Sequence, residues 1–199
     1  MAYLDSKKHL AVASNAGQVT IRIVDWAKVD ACDSIGLNNV FKTLFTELKK
    51  AEWIEFMSYS PDAKWLGVGS HDNFIYLLDV AKSYGKVHKL TGHSSFITAF
   101  DWSLDSKYLR SNCGAYELLF FNVETMKRDP SGASNTRETV WKSQNCKLGW
   151  NVQGIYPPGC DGSHINTVAM SFDSSLICSG DDYGLVTIYR NPCLEGHKG

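Results

Sequence analysis

Short segments of alternating apolar and polar residues run along most of the chain, and turns of small polar residues separate them. Three segments carry an apolar pair two positions apart, then a serine, then an aspartate two positions further on: Ser60/Asp62, Ser103/Asp105 and Ser171/Asp173. β-Branched and aromatic residues are frequent between these turns. The pattern predicts short antiparallel β-strands.

A leucine followed nine positions later by an apolar residue marks four units of one repeat. The pairs are Leu10/Val19, Leu66/Ile75, Leu109/Leu118 and Leu176/Leu185. The base period is about 43 residues, with insertions before the second and fourth units, and this range is typical of the four-stranded blades of a β-propeller. The sequence therefore predicts an all-β fold of about four blades that form a partial propeller.

The repeat sets the expected boundaries of the blades. They are residues 1–47, 53–90, 96–142 and 165–190, with an inserted segment at 143–164. The first blade is expected to lack its innermost strand and the last its outermost strand. A blade buries its faces only against neighbouring blades. We therefore interpret residues 1–199 as one repeat region that is a fragment of a larger propeller or closes by association.

The sequence predicts the secondary structure of three further segments. Phe41–Trp53 has helix-like spacing of apolar residues, but the repeat requires an outer strand at 40–46, and we favour the strand. The outer strand of the third blade is predicted at 137–142. The polar segment Arg128–Glu138 is predicted to be an exposed, mobile loop.

The dipeptide His71-Asp72 raises the question of catalysis. Asp72 and Asp182 stand six positions after the repeat leucines of their units, and alanines occupy this place in the other two units. An aspartate in a turn accepts hydrogen bonds from backbone N–H groups. No paired nucleophile is evident, and the common nucleotide, hydrolase and zinc-protease motifs are absent. We assign both aspartates to repeat turns, name no catalytic residue and do not predict an enzyme.

The inserted segment contains three large apolar residues, Trp150, Ile155 and Tyr156, among several glycines. They could anchor a partner protein or pack over the joint between two blades, and we favour packing while keeping them as candidate partner contacts. Cys160 and His164 resemble a metal-ligand pair, but no second pair stands at ligand spacing. No metal site and no cofactor are predicted.

Composition narrows the classes of partner. The 20 Lys and Arg residues balance 21 Asp and Glu residues, so charge gives no argument for binding nucleic acid or an anionic membrane. The apolar runs are too short to span a bilayer, and no secretory signal is visible. Six scattered cysteines without a C-x-x-C pair, and no glycosylation sequon, favour a reducing, cytoplasmic setting.

The dipeptide Gly92-His93 resembles the Gly-His that marks WD40 blades. In that family the histidine bonds a turn aspartate of the same blade, which implies a structural turn role for His93, although Ala115 stands where the aspartate would be. No unit ends in Trp-Asp, and the nearest match is Leu78-Asp79. The units therefore resemble degenerate WD repeats.

Longer stretches resemble the echinoderm microtubule-associated protein-like (EMAP-like) family. The most specific is "WKSQNCKLGWNVQGIYPPGCDGSHINTVAMS", and the similar stretches cover most of residues 53–193. The resemblance implies blades of the second of two paired propellers, forming a non-catalytic scaffold that binds tubulin or microtubules, and other proteins through its loops, in the cytoplasm. The alternative is a general WD40 interaction module of a ciliary or signalling complex without direct tubulin binding.

Overall fold

The computed structural model describes residues 1–14, 16–25, 41–46, 52–156, 159 and 164–194. It divides into two compact units, Met1–Ile97 and Thr98–Gly199. Four antiparallel sheets contain the described strands, and each sheet joins strands that follow one another along the chain. The predicted all-β fold of about four blades is thus confirmed. None of the helices in the described ranges has the length and apolar character needed to cross a membrane.

The first unit contains two four-stranded sheets. The strands of the first are β1 (Ala2–Leu4), β2 (His9–Ala13), β3 (Val19–Val24) and β4 (Phe41–Thr46). Those of the second are β5 (Ile54–Tyr59), β6 (Trp65–Ser70), β7 (Ile75–Asp79) and β8 (Val87–Leu90). Strand β4 confirms the choice of a strand over a helix in this segment.

The expectation that the first blade lacks its innermost strand is wrong. Strand β1 pairs antiparallel with β2, with Leu4 opposite His9. It has only three residues, so it is too short to show the apolar and polar alternation from which strands are read in a sequence. The hydrogen bonds to β2, a tertiary feature, define it.

The two sheets of the first unit share one core. Buried residues of β2 and β3, such as Ala11 and Ile21, belong to the same apolar cluster as Leu66, Val68 and Leu78 of β6 and β7. The last five residues of β6 are all buried, because both faces of this strand are covered. The repeat leucine Leu66 is fully buried in this cluster.

A chain of hydrogen bonds also joins the two sheets. The Tyr84 hydroxyl lies 2.6 Å from His9 Nδ1 and 3.1 Å from the Tyr59 hydroxyl. Burial, and then the hydrogen bond between them, raise the pKa of Tyr59, while burial raises the pKa of Tyr84. Both phenols therefore stay protonated and act as hydrogen-bond groups. Burial, with a smaller effect of Lys7, lowers the pKa of His9.

The lowered pKa of His9 gives an acid dependence of stability. The unfolded chain titrates near the ordinary value of about 6.5, so it binds the proton before the folded chain does. The stability contributed by neutral His9 is complete above that value and is lost as the pH falls through the folded pKa. We expect the urea midpoint of the first unit to decrease between pH 7.5 and 5, and to decrease less in His9→Asn. Equal slopes in the two proteins would contradict this role of His9.

The second unit contains the other two sheets. The third sheet has the strands β9 (Ile97–Trp102), β10 (Tyr108–Cys113), β11 (Leu118–Asn122) and β12 (Lys127–Arg128). The fourth has β13 (Ile165–Met170), β14 (Leu176–Asp181) and β15 (Val186–Arg190). The described residues give the fourth sheet three strands, as expected for an incomplete last blade.

The outer strand of the third blade lies at β12, so the prediction of a strand at 137–142 is wrong. Residues 137–142 instead run beside the end of β9, where Trp141 bridges to Ser103 and Lys142 N donates to Trp102 O at 2.9 Å. Within the segment predicted as an exposed loop, residues Gly132–Asn135 form a short helix, α1. Gly132 is buried against Phe120, and Asp129 accepts hydrogen bonds from Ser131 N and Asn135 Nδ2. The contact of Gly132 with Phe120 depends on the fold, and a helix of four residues is too short to leave a periodic signal in the sequence.

The repeated Ser-x-Asp pattern forms the same turn three times. In each copy the serine hydroxyl donates to the aspartate at 2.6 Å and accepts from the backbone N–H five residues after the serine. The aspartate also accepts from the N–H two residues further on, at 3.1 Å. Burial raises the pKa of Asp62, but the bonds of its turn and the charge of Lys64 outweigh this effect and lower it. The same bonds lower the pKa of Asp105, and that of Asp173 to about 2. The pattern found in the sequence is therefore a turn motif.

We expect Ser103→Ala to lower the free energy of unfolding by about 1–3 kcal/mol. Ser103 is buried, and its removal leaves the N–H of Tyr108 without the serine acceptor. Ser171→Ala is the matched control, because its turn is exposed and water can replace the hydroxyl there. Urea denaturation of both variants measures the difference. Equal losses would show that burial does not set the cost of this turn.

Candidate interaction surface

A buried ion pair holds the start of the inserted segment. Asp101 of β9 is fully buried, and Arg110 Nε of β10 donates to its Oδ2 at 3.2 Å. The guanidinium of Arg110 also lies 4.4 Å from the centre of the Trp141 ring. A buried charge is tolerated only when it is paired and hydrogen-bonded. Both conditions are met here.

The remaining hydrogen bonds of Asp101 come from residues just after Trp141. Ser143 Oγ and Asn145 N each donate to Asp101 Oδ1 at 2.7 Å, Asn145 Nδ2 donates to the same atom at 2.9 Å, and Cys146 N donates to Oδ2 at 3.1 Å. Arg110 donates in addition to the side-chain oxygen of Gln144. The carboxylate therefore fixes the path of residues 143–146 across the third sheet.

The next part of the segment packs on the fourth sheet. Residues Trp150–Ile155 form a 3-10 helix, whose Val152 and Ile155 lie in one buried cluster with residues of β13 and β14. Gly154 N donates to Cys193 O at 2.8 Å, and Cys193 N donates to Asn151 O at 2.9 Å. Residues 143–155 of the inserted segment are thus a fixed part of the second unit.

A lysine fastens the segment to the edge of the fourth sheet. Lys147 Nζ donates to Ile165 O at 2.8 Å, and Lys147 O accepts from the Tyr156 hydroxyl at 2.8 Å. Burial lowers the pKa of Lys147, and the charge of Asp182 opposes part of this shift. Because its ammonium group bonds a backbone carbonyl, Lys147 has a structural function here.

The structure separates the three candidate partner contacts. Ile155 is fully buried, and Tyr156 is half-buried against the apolar cluster. Trp150 is 67% exposed and is the member of the three that a partner can reach. His164 stacks on Tyr183, with ring centres 5.8 Å apart, while Pro157, Pro158 and Cys160 lie outside the described residues.

The turn residues predicted from the repeat lie as follows. Asp72 accepts from Phe74 N at 3.3 Å and from the Tyr76 hydroxyl. Burial, and then this bond, raise the pKa of Tyr76.

The second turn aspartate lies in the fourth sheet. Asp182 accepts from Asn166 Nδ2 at 2.6 Å, and its N–H donates to His164 O at 3.0 Å. His93 is buried. The carboxylate partner of His71 is Glu55, at 3.2 Å, so His71 and Asp72 bond different residues.

Several exposed apolar side chains lie on the fourth sheet and its turns. They are Phe172, Leu176, Tyr183, Leu185, Val186 and Ile188. Three of them, Leu176, Val186 and Ile188, stand on β14 and β15, where the corresponding strands of the second sheet are buried. Exposed apolar areas of this kind are typical of surfaces that another protein segment covers.

The sequence reasoning missed the Asp101 network. A signal was available, because Asp101 and Arg110 are charged residues inside the segments "FDW" and "YLRSN" of one predicted hairpin. Opposite charges on adjacent strands can face each other. The contributions of Gln144 and Asn145 had no comparable signal, since they come from a segment without repeat equivalents.

Comparisons with known proteins identify what the chain is similar to. The family model described as "Echinoderm microtubule-associated protein second beta-propeller" matches residues 1–199. The chain is 50% identical over 188 residues to the ciliary WD repeat-containing protein ctxp80 of Euplotoides octocarinatus, covering 94% of this chain and 24% of that protein. It is 43% identical over 147 residues to echinoderm microtubule-associated protein-like 1 of Mus musculus, covering 72% of this chain and 18% of that protein.

A sea urchin protein gives the same result. The chain is 43% identical over 141 residues to the 77 kDa echinoderm microtubule-associated protein of Lytechinus variegatus, covering 69% of this chain and 21% of that protein. The chain therefore spans about a quarter or less of the length of these curated relatives.

Proposed function

Because the chain belongs to the EMAP-like family of WD-repeat interaction scaffolds, we propose that it takes part in binding tubulin or microtubules. The observation that carries the proposal is the match of the second-propeller model over residues 1–199, together with relatives whose names state microtubule association. The proposed location is the cytoplasmic cytoskeleton. Propellers bind partners through rigidly held loops, so no cofactor is needed.

The arrangement of polar groups supports a binding protein over an enzyme. The aspartates of the Ser-x-Asp motif bond their own turns, and the buried pair Asp101–Arg110 bonds the inserted segment. A catalytic site needs titratable groups that converge on a space for substrate. These groups converge on backbone and on one another.

We further propose that residues 1–199 are one WD-repeat region of a larger propeller, with blades near 1–47, 53–90, 96–142 and 165–190. The apolar side chains exposed on β14 and β15 support this, because a further blade would cover them. The inserted segment 143–164 then lies between the third and fourth blades.

A second candidate function has its own observation. The relative with 50% identity is named as a ciliary WD repeat-containing protein. The chain would then serve as an interaction module of a ciliary or signalling complex and would not contact tubulin directly.

Co-sedimentation with stabilised microtubules and gel filtration with tubulin test the first proposal. We expect saturable binding, and Trp150→Ala tests the exposed aromatic of the inserted segment as a contact. Loss of an anchoring residue weakens binding by about fivefold or more. Phe172→Ala is the matched control, since Phe172 is another exposed aromatic residue of the second unit.

Each outcome has a separate meaning. Binding that is weakened in Trp150→Ala alone supports both the function and the contact, and binding that is equal in all proteins removes Trp150 as a contact. Absence of binding in both assays contradicts tubulin binding. Proximity labelling that recovers axonemal proteins without tubulin would then favour the second candidate.

A further inference from the structure

Three aromatic rings are stacked on the surface of the first unit. The rings of Trp53 and His71 have centres 5.0 Å apart and planes inclined by 9°. Those of His71 and Phe96 have centres 4.6 Å apart and planes inclined by 25°. His71 is therefore the middle ring of an aromatic stack formed by Trp53, His71 and Phe96.

The three rings of the stack are carried by backbone segments next to three different strands. Trp53 lies just before β5, His71 just after β6, and Phe96 just before β9. His71 N donates to Trp53 O at 2.8 Å, which ties the first two residues together. Asn73 Nδ2 lies 3.5 Å from Ser94 O, close to the third ring. Side chains fixed in this way lose little conformational entropy on binding.

The outer rings of the stack are open to a partner. Trp53 is 48% exposed and Phe96 is 37% exposed. His71 stacks against one side of each ring, and both rings keep an exposed fraction that a partner can contact. Exposed and rigid aromatic side chains, above all tryptophan, are enriched at the energetic centres of interfaces.

The surroundings of the stack are acidic. Glu55 Oε2 lies 3.2 Å from His71 Nε2, and the Glu55 side chain is half-exposed. Glu52 is exposed beside Trp53 in the sequence, and Asp72 follows His71. Lys89, whose ammonium group lies over the Phe74 ring, balances one of these three carboxylates. Charge complementarity therefore favours a basic partner.

The first unit already contains a cation–π contact between two of its own side chains. Lys89 Nζ lies 3.3 Å from the centre of the Phe74 ring and 5.8 Å from that of Tyr76. A cation above an aromatic face is attracted by the negative charge of the ring centre. Among the described residues, the cation–π contacts shown lie on rings other than Trp53.

We propose that the aromatic stack is a docking site for an arginine side chain in a basic segment of a partner protein. The planar guanidinium stacks on the exposed part of the Trp53 ring, and the charge of the half-exposed Glu55 carboxylate attracts it. Arginine fits better than lysine, because its flat and weakly hydrated group stacks on an aromatic face. This site is independent of the microtubule contact proposed above and lies in the other unit.

Selection from a random dodecapeptide library on the 199-residue chain tests the proposal. Peptides bound to the native chain are compared with those retained by Glu55→Gln, which keeps the shape of the side chain and removes its charge. We expect the peptides lost in the variant to carry a net positive charge with arginine enriched. Recovery of no such peptides, or of neutral or acidic ones, would overturn the proposal.

Fluorescence anisotropy with one selected peptide measures how much each contact contributes to the affinity. An exposed cation–π contact contributes about two- to fivefold in affinity, and an exposed ion pair contributes a similar factor. We expect Trp53→Ala and Glu55→Gln each to weaken binding about two- to fivefold, and citrulline in place of arginine to weaken it as well. Trp150→Ala, which removes an exposed tryptophan of the other unit, should leave the affinity unchanged. Equal binding by the citrulline peptide would overturn the arginine assignment.

Discussion

Replacement of Asp101 with alanine is expected to lower the free energy of unfolding of the second unit by about 3–5 kcal/mol. The carboxylate accepts hydrogen bonds from Arg110, Ser143, Asn145 and Cys146 within a fully buried site. Its removal leaves the guanidinium of Arg110 buried beside donors that have lost their acceptor. Urea denaturation followed by circular dichroism measures the loss.

The same variant should loosen a defined part of the unit. Because Asp101 fixes the path of residues 143–146, backbone amides from 143 to 155 should exchange faster with deuterium in Asp101→Ala. Protection in the first unit, Met1–Ile97, should not change. Uniform loss of protection in both units would contradict a local function of the network.

Two further variants separate the effect of charge from that of volume. In Asp101→Leu/Arg110→Met both charges are replaced by apolar groups, and such replacements of buried ion pairs are often neutral or stabilising. We expect this double variant to recover part of the stability lost in Asp101→Ala. Asp105→Asn is the exposed control, with an expected loss of about 1 kcal/mol or less. A loss below about 1 kcal/mol in Asp101→Ala would contradict the importance of the buried carboxylate.

The repeat in the sequence predicted the blades because each unit forms its own local bonds. Ser103 and Asp105, for example, satisfy the backbone of one turn without help from distant residues. The period of the repeat, against the helix-like local spacing, placed the strand at Phe41–Thr46 correctly. Features that depend on contacts between separate segments were not visible in this way, and they include β1, α1 and the position of β12.

The candidate surfaces illustrate the same limit. Trp150, Ile155 and Tyr156 are similar in apolar character, but the 3-10 helix turns Ile155 into the core and leaves Trp150 outside. The aromatic stack joins residues 53, 71 and 96, which no short motif connects. Sequence spacing indicated which residue types are present, and the tertiary fold determines which of them meet.

Leucines at the same position of the repeat differ in burial. This difference predicts the second large effect on stability. Leu66 and Leu109 are fully buried, whereas Leu176 at the same repeat position is 42% exposed. Truncation of a buried leucine to alanine costs about 2–5 kcal/mol, since it removes apolar contacts and leaves a cavity. We expect losses in this range for Leu66→Ala and Leu109→Ala, and about 1 kcal/mol or less for Leu176→Ala.

Urea midpoints of the three variants of the 199-residue chain measure these differences, and Leu176→Ala is the matched control for the other two. If a further blade covers β14 and β15 in the longer protein, the cost of Leu176→Ala should increase there towards that of Leu66→Ala, because the side chain would lose packing contacts on both sides. An equal, small cost of Leu176→Ala in both contexts would mean that the apolar face of the fourth sheet is not a blade interface. The exposed leucine therefore reports directly on whether this chain continues as a propeller.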